Sequence, residues 1–257
     1  MYRETGKVSA QLIATSLLFS CLSLVWFKVE VRAQQQQPSP TVAEGAAARE
    51  RGIKLYEQGE IKEAVKALRE AVKQDKNDAA AWYYLSIALN RDDDVKGARK
   101  AAEQAVKLRP DSAPARAGLA YLLLLSNKLG DALREAESAL ALNARNTEAN
   151  YVVSVVRLQQ GEPSKALDAI QAALNSKPDF PAALLWKSQV LLSLYAEAID
   201  SLDKIPREAG KQVVARLPKL LKGAAESLEK SLQLNPSMPE AELWREQLAT
   251  LRVYVQN

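Results

Sequence analysis

The chain has 257 residues, 47% hydrophobic and 26% charged, and its 35 Lys and Arg against 31 Asp and Glu leave a formal charge of +4. That balance belongs to a foldable chain rather than a disordered one, and so small a charge, with Lys and Glu interspersed, supplies no concentrated field for binding nucleic acid. There is no histidine, and Cys21 is the single cysteine, which excludes histidine-based catalysis, Cys–His zinc sites and an internal disulfide.

Residues 1–33 read as an export segment: Arg3 and Lys7 form a short basic start, and residues 8–27, which include Cys21, carry no charge. Val31 and Ala33 place small or aliphatic side chains ahead of a cut after Ala33. The apolar run is also long enough to span a bilayer as a helix, so a retained membrane anchor stands beside the cleaved signal peptide. Both readings put the body of the protein outside the cytoplasm, periplasmic or otherwise extracytoplasmic, because the basic start stays inside. Membrane contact is expected through this segment if it is uncleaved. Residues 34–44, opening with four glutamines and two prolines, read as a flexible linker.

From residue 45 the sequence repeats itself. Ala64, Ala98, Ala132 and Ala166 stand 34 residues apart, and the same register carries Leu68, Ala102, Ala136 and Ile170, then Ala71, Ala105, Ala139 and Ala173. A further column of small residues holds Gly52, Ser86, Ala120, Ser154 and Ser188, and prolines recur at Pro110, Pro178 and Pro236. Within each unit the apolar residues follow helical spacing, which predicts two amphipathic helices joined at Gln58 to Glu60, Arg91 to Asp94, Ser126 to Lys128 and Gln160 to Pro163. No stretch alternates long enough to make a strand. The small columns have a steric cause: antiparallel helices approach most closely where both present little side chain, so Gly52 is expected against Ala64 and Ser86 against Ala98.

This register resembles the tetratricopeptide repeat (TPR) family, whose units fold as helix–turn–helix hairpins of the same length. The resemblance covers residues 45–257. It implies an all-α solenoid of about five hairpins: units 45–78, 79–112, 113–146, 147–180 and 181–238, then a capping helix at 239–257. The early tryptophan of the family pattern appears at Trp82 but is replaced by Ala48, Arg116 and Asn150 in units one, three and four.

In unit five the expected alanine is Asp200, and the column resumes at Ala224 with Leu228, Ser231 and Pro236 in step. The simplest account is an insertion at about residues 195–218, with an extended first helix to about Lys204, a break at Pro206 and a short helical piece. A sixth complete unit would put Gln212 in the small column. The insertion carries Lys204, Arg207, Lys211, Arg216, Lys219 and Lys222 against few acids, which suits a soluble elongated hairpin or contact with an anionic partner or membrane surface. In the cap, Leu243, Trp244, Leu248 and Leu251 form the expected apolar side.

First helices line the concave side of such a stack. In the family the fifth and ninth positions of each unit face that groove. Here they are Arg49 and Ile53, Tyr83 and Ile87, Ala117 and Tyr121, Tyr151 and Val155, and Leu185 and Gln189. They make an apolar, tyrosine-bearing wall suited to an extended peptide or amphipathic helix of a protein partner, though Tyr83 and Tyr151 also fit simple packing against adjacent helices. Family members that bind the terminal carboxylate of cytosolic chaperones use Lys and Asn where this chain has Arg49 and Ile53, so that clamp is disfavoured. Asp92, Asp93 and Asp94 lack the spaced ligands of a calcium loop and read as a solvated turn.

The expected function is therefore a non-enzymatic protein-interaction scaffold without cofactor or metal. The alternatives are an assembly factor of an envelope machine, such as a pilus, secretion or outer-membrane complex, and a carboxylate-based enzyme, for which the sequence offers no positive motif.

Overall fold

The computed structural model describes residues 40–239 and 241–256. The predicted leader with Cys21, its cleavage site after Ala33, and residues 34–39 of the predicted linker lie outside the described residues. Eleven α-helices and one short 3-10 helix follow one another, with no strand among the described residues. They form hairpins: α1 (Pro40–Glu57) with α2 (Ile61–Gln74), α3 (Ala79–Arg91) with α4 (Val95–Leu108), α5 (Ala113–Leu125) with α6 (Leu129–Leu142), and α7 (Thr147–Gln159) with α8 (Pro163–Ser176). The fifth hairpin joins α9 (Pro181–Ser201) to α10 (Arg207–Leu234), and α11 (Ala241–Gln256) packs on α10. No helix of the described residues is long and apolar enough to cross a membrane. The first correction to the sequence reading is at the start: residues 40–44 belong to α1 rather than to a linker. Pro40 suits the opening of a helix, where its fixed φ is pre-set and its missing N–H is not required.

The repeat columns are the interior. Ala64, Ala98, Ala132, Ala166 and Ala224 are all fully buried, as are Leu68, Ala136, Ile170 and Leu228. At Gly52 the closest approach is to the residue one helical turn beyond Ala64. The nearest side chain to a β-carbon placed there is Leu68, whose Cγ would lie 2.6 Å away. In the fourth hairpin, Ser154 donates across the pair to the Ala166 carbonyl at 2.8 Å, so its hydroxyl is satisfied in an otherwise apolar contact. Ser231 does the same for unit five, donating to the Pro181 carbonyl at 2.8 Å.

What stops each first helix is a second periodic column. Gly59, Asp93, Asn127 and Gly161 adopt left-handed φ values of 82°, 61°, 55° and 76°, one per unit at the repeat spacing. After each, a backbone N–H reaches back to close the helix: Glu60 to Leu55, Asp94 to Leu89, Lys128 to Leu123 and Glu162 to Arg157, all at 2.9 Å. This is the Schellman closure, and it requires a residue tolerant of positive φ. The next position in register is Tyr195, a bulky side chain for which that conformation is disfavoured. It stays helical, and α9 runs on to Ser201.

The inserted residues accordingly lengthen both arms of hairpin five. The break falls between the 3-10 helix Leu202–Lys204 and Pro206, as the sequence suggests, but the expected short helical piece is continuous with the second helix. Pro218 lies inside α10 without ending it. The cap buries Leu248 and Leu251 against Leu221, Leu228 and Met238, with Trp244 packed beside them. Leu243, expected on this side, is instead 55% exposed, because it lies one helical step away from the line through Trp244, Leu248 and Leu251.

Candidate partner-binding groove

The first helices of successive units touch one another, α1 with α3, α3 with α5, α5 with α7 and α7 with α9. They therefore form the inner, shorter wall of the curved stack. Three of them start with a side-chain cap at the same register. Asp78 accepts from the Ala81 N–H at 2.9 Å, Ser112 from Ala115 at 3.4 Å and Asn146 from Ala149 at 2.9 Å. Each cap contributes about 1 kcal/mol. The fourth place is Phe180, followed by Pro181 at the opening of α9, where no side-chain cap forms.

On this wall α3, α5 and α7 line an open cavity of about 260 Å³. Tyr83 and Ile87 come from α3, Ala117, Gly118, Tyr121 and Leu122 from α5, and Glu148 from the first turn of α7. Gly118 keeps the floor open: a β-carbon there would sit 3.9 Å from the Tyr83 ring. The aromatic surface continues beyond the cavity, with Tyr121 and Tyr151 centroids 6.5 Å apart, Tyr151 and Phe180 5.5 Å apart, and the Lys177 ammonium 5.3 Å from the Phe180 ring centre. Tyr83 is buttressed by Tyr84 edge-on at 5.3 Å. Such offset and tilted ring pairs are favourable and hold the rings in place.

Burial raises the Tyr83 phenol above its ordinary range, with the Glu148 charge adding to it. Burial, assisted by Tyr121, pushes Tyr151 up to about 12. Both rings are neutral hydroxyl-bearing surfaces at any physiological pH.

The predicted groove residues divide into two sets. Tyr83, Ile87, Ala117 and Tyr121 meet at the cavity. Tyr151 joins them through its ring contact with Tyr121 and is half-buried. The others do not line the cavity. Arg49 forms an ion pair with Asp78, the residue that caps α3, and so ties unit one to unit two. Val155 is buried; its ninth position turns toward packed neighbours rather than solvent. Leu185 packs into the core of hairpin five. Ile53 is half-buried on α1, and Gln189 is half-buried with its side-chain nitrogen enclosed and unbonded.

Five cavity residues escaped the sequence reading: Asn90, Pro114, Gly118, Leu122 and Glu148. Pro114 and Glu148 share one register position, 34 residues apart, so the second place of each unit was the signal that marked them. The Asp92 to Asp94 stretch is a turn: Asp93 supplies the left-handed residue, and Asp94 accepts from the Gly97 N–H at 2.8 Å.

A sequence profile of the tetratricopeptide repeat matches residues 49–113, 93–151, 117–179 and 154–212, more than half of the chain. No curated protein matches the sequence. Among solved structures the fold is similar to that of TTC0263, a TPR protein of Thermus thermophilus, at 19% identity and a TM-score of 0.57, covering 81% of this chain and 99% of that one. It is also similar to PilF of Pseudomonas aeruginosa, at 18% identity and a TM-score of 0.54 over 81% and 100% of the two chains. MamA of Desulfovibrio magneticus aligns at 21% identity and a TM-score of 0.52 over 76% and 97%. At these identities the similarity is one of fold. With the profile running through four consecutive units whose helices pair and turn in its register, the chain belongs to the tetratricopeptide repeat family.

Proposed function

We propose that the protein holds an extended segment or amphipathic helix of a protein partner against its inner wall. A general role as a protein-interaction scaffold follows from the family; the groove as the site rests on the cavity between Tyr83, Ile87 and Tyr121 and the aromatic surface leading from it. Rigid aromatic rings around a concave apolar surface give large contact area with little loss of side-chain freedom on binding. A photocrosslinking residue at Tyr121 should capture a partner that the same residue at exposed Lys100 on α4 does not. The captured partner should lose affinity for Ile87→Arg and for Tyr121→Arg. Equal capture at both sites, or unchanged affinity in both variants, removes the groove from consideration.

We place this activity outside the cytoplasm. The support is the basic start at Arg3 and Lys7 followed by the uncharged residues 8–27. Fractionation with protease protection of the array tests it, and intact-mass measurement distinguishes cleavage after Ala33 from a retained anchor.

A further inference from the structure

The chemistry of the partner is written in the one charge that the cavity carries. Of its lining residues only Glu148 is ionised, and no lysine or arginine among the described residues pairs with it. Acids elsewhere in the same two units are different: Glu135 is held by Arg116 at 2.7 Å, and Arg157 holds Glu137 at 3.0 Å and Glu162 at 3.1 Å. Arg49 of α1, Arg116 of α5 and Arg157 of α7 are thus engaged with other acids. Glu148 sits in the first turn of α7. The same cavity is lined by the rings of Tyr83 and Tyr121, by the apolar Ile87, Ala117 and Leu122, and by the uncharged Ser86 and Asn90.

We propose that the cavity receives a lysine or arginine side chain of the bound segment. Its aliphatic stem lies along Ile87, Ala117 and Leu122, and its charged end meets the tyrosine rings and Glu148. A tyrosine face attracts a cation through its quadrupole, and an apolar channel suits the stem of a long basic side chain. An acidic segment or a terminal carboxylate is repelled by the same carboxylate. This inference rests on the groove being the binding site, and it adds the charge of the ligand.

The test is selection of a random peptide library on the immobilised full-length chain, with Tyr121→Arg as the subtraction control and circular dichroism to confirm that each variant folds. Lysine or arginine should be enriched in the retained sequences. In the best binder, replacing that cation by norleucine should weaken binding roughly five- to tenfold, and the difference should largely vanish in Glu148→Gln. Sequences that depend on Tyr121 but show no basic enrichment, or lose equally in Glu148→Gln, overturn the cationic ligand and leave the groove standing. Sequences retained equally by Tyr121→Arg, or no enrichment above that control, overturn both.

Discussion

Leu68 occupies the space that any side chain at Gly52 requires: a β-carbon on residue 52 would lie 2.6 Å from its Cγ and 3.3 Å from its backbone nitrogen. Leu68 is fully buried, and a close-packed interior leaves such a side chain little room to retreat. Gly52→Ala should therefore destabilise the first hairpin even though alanine is the better helix former. Overpacking costs about 1–3 kcal/mol, and helix propensity returns about 1 kcal/mol. Chemical denaturation should show a lower midpoint, partly recovered in Gly52→Ala combined with Leu68→Val.

The left-handed turn residues give a prediction of opposite sign at one site. Asn127 has φ of 55°, which glycine adopts freely and a β-branched residue does not. Asn127→Val should cost about 1–2 kcal/mol, whereas Asn127→Gly should be near neutral or slightly stabilising. Thermal melts of the two variants beside the parent chain read both.

Tyr151 sets an alkaline limit on the array. Its folded-state value is about 12 against an ordinary 10, so the neutral form is favoured by folding. The contribution is complete below pH 10, where the phenol is neutral in both states. It is lost as the pH rises toward 12, where the unfolded chain has released its proton and the folded one has not. A loss of about 2 kcal/mol across that window is expected. Urea melts at successive pH values should show it in the parent chain and not in Tyr151→Phe.

Pro218 interrupts the bonding of α10 from within, since it has no N–H to give to the carbonyl of Val214. Both residues are exposed, so water is available to that carbonyl. Pro218→Ala should stabilise the long hairpin by about 1–3 kcal/mol, and slower amide exchange along residues 207–222 is the direct readout.

The sequence displayed the hairpins clearly because burial enforces small residues at a constant interval. Ala64 and its equivalents could not vary without pushing helices apart. The left-handed column was harder to see, since glycine, aspartate, asparagine and glycine share a backbone tolerance rather than a chemical type. Once it is recognised, Tyr195 explains why the fifth unit lengthens, a cause that residue spacing alone did not supply. Groove membership was legible only in part. Tyr83, Ile87 and Tyr121 reach the cavity from their register positions, but Arg49 is claimed by an ion pair 29 residues along the chain and Val155 by burial. Both outcomes depend on neighbours that no single unit contains.

The carboxylate of Asp78 both begins α3 and grips Arg49 of α1. Any tension drawn through residues 1–39 enters the array at α1 and meets that grip early. When it yields, Asp78 keeps its bond to Ala81, so the second hairpin retains its own start while the first peels away. Since each hairpin rests chiefly on its neighbours, the stack should surrender under load one hairpin at a time, in a series of force steps rather than a single rupture.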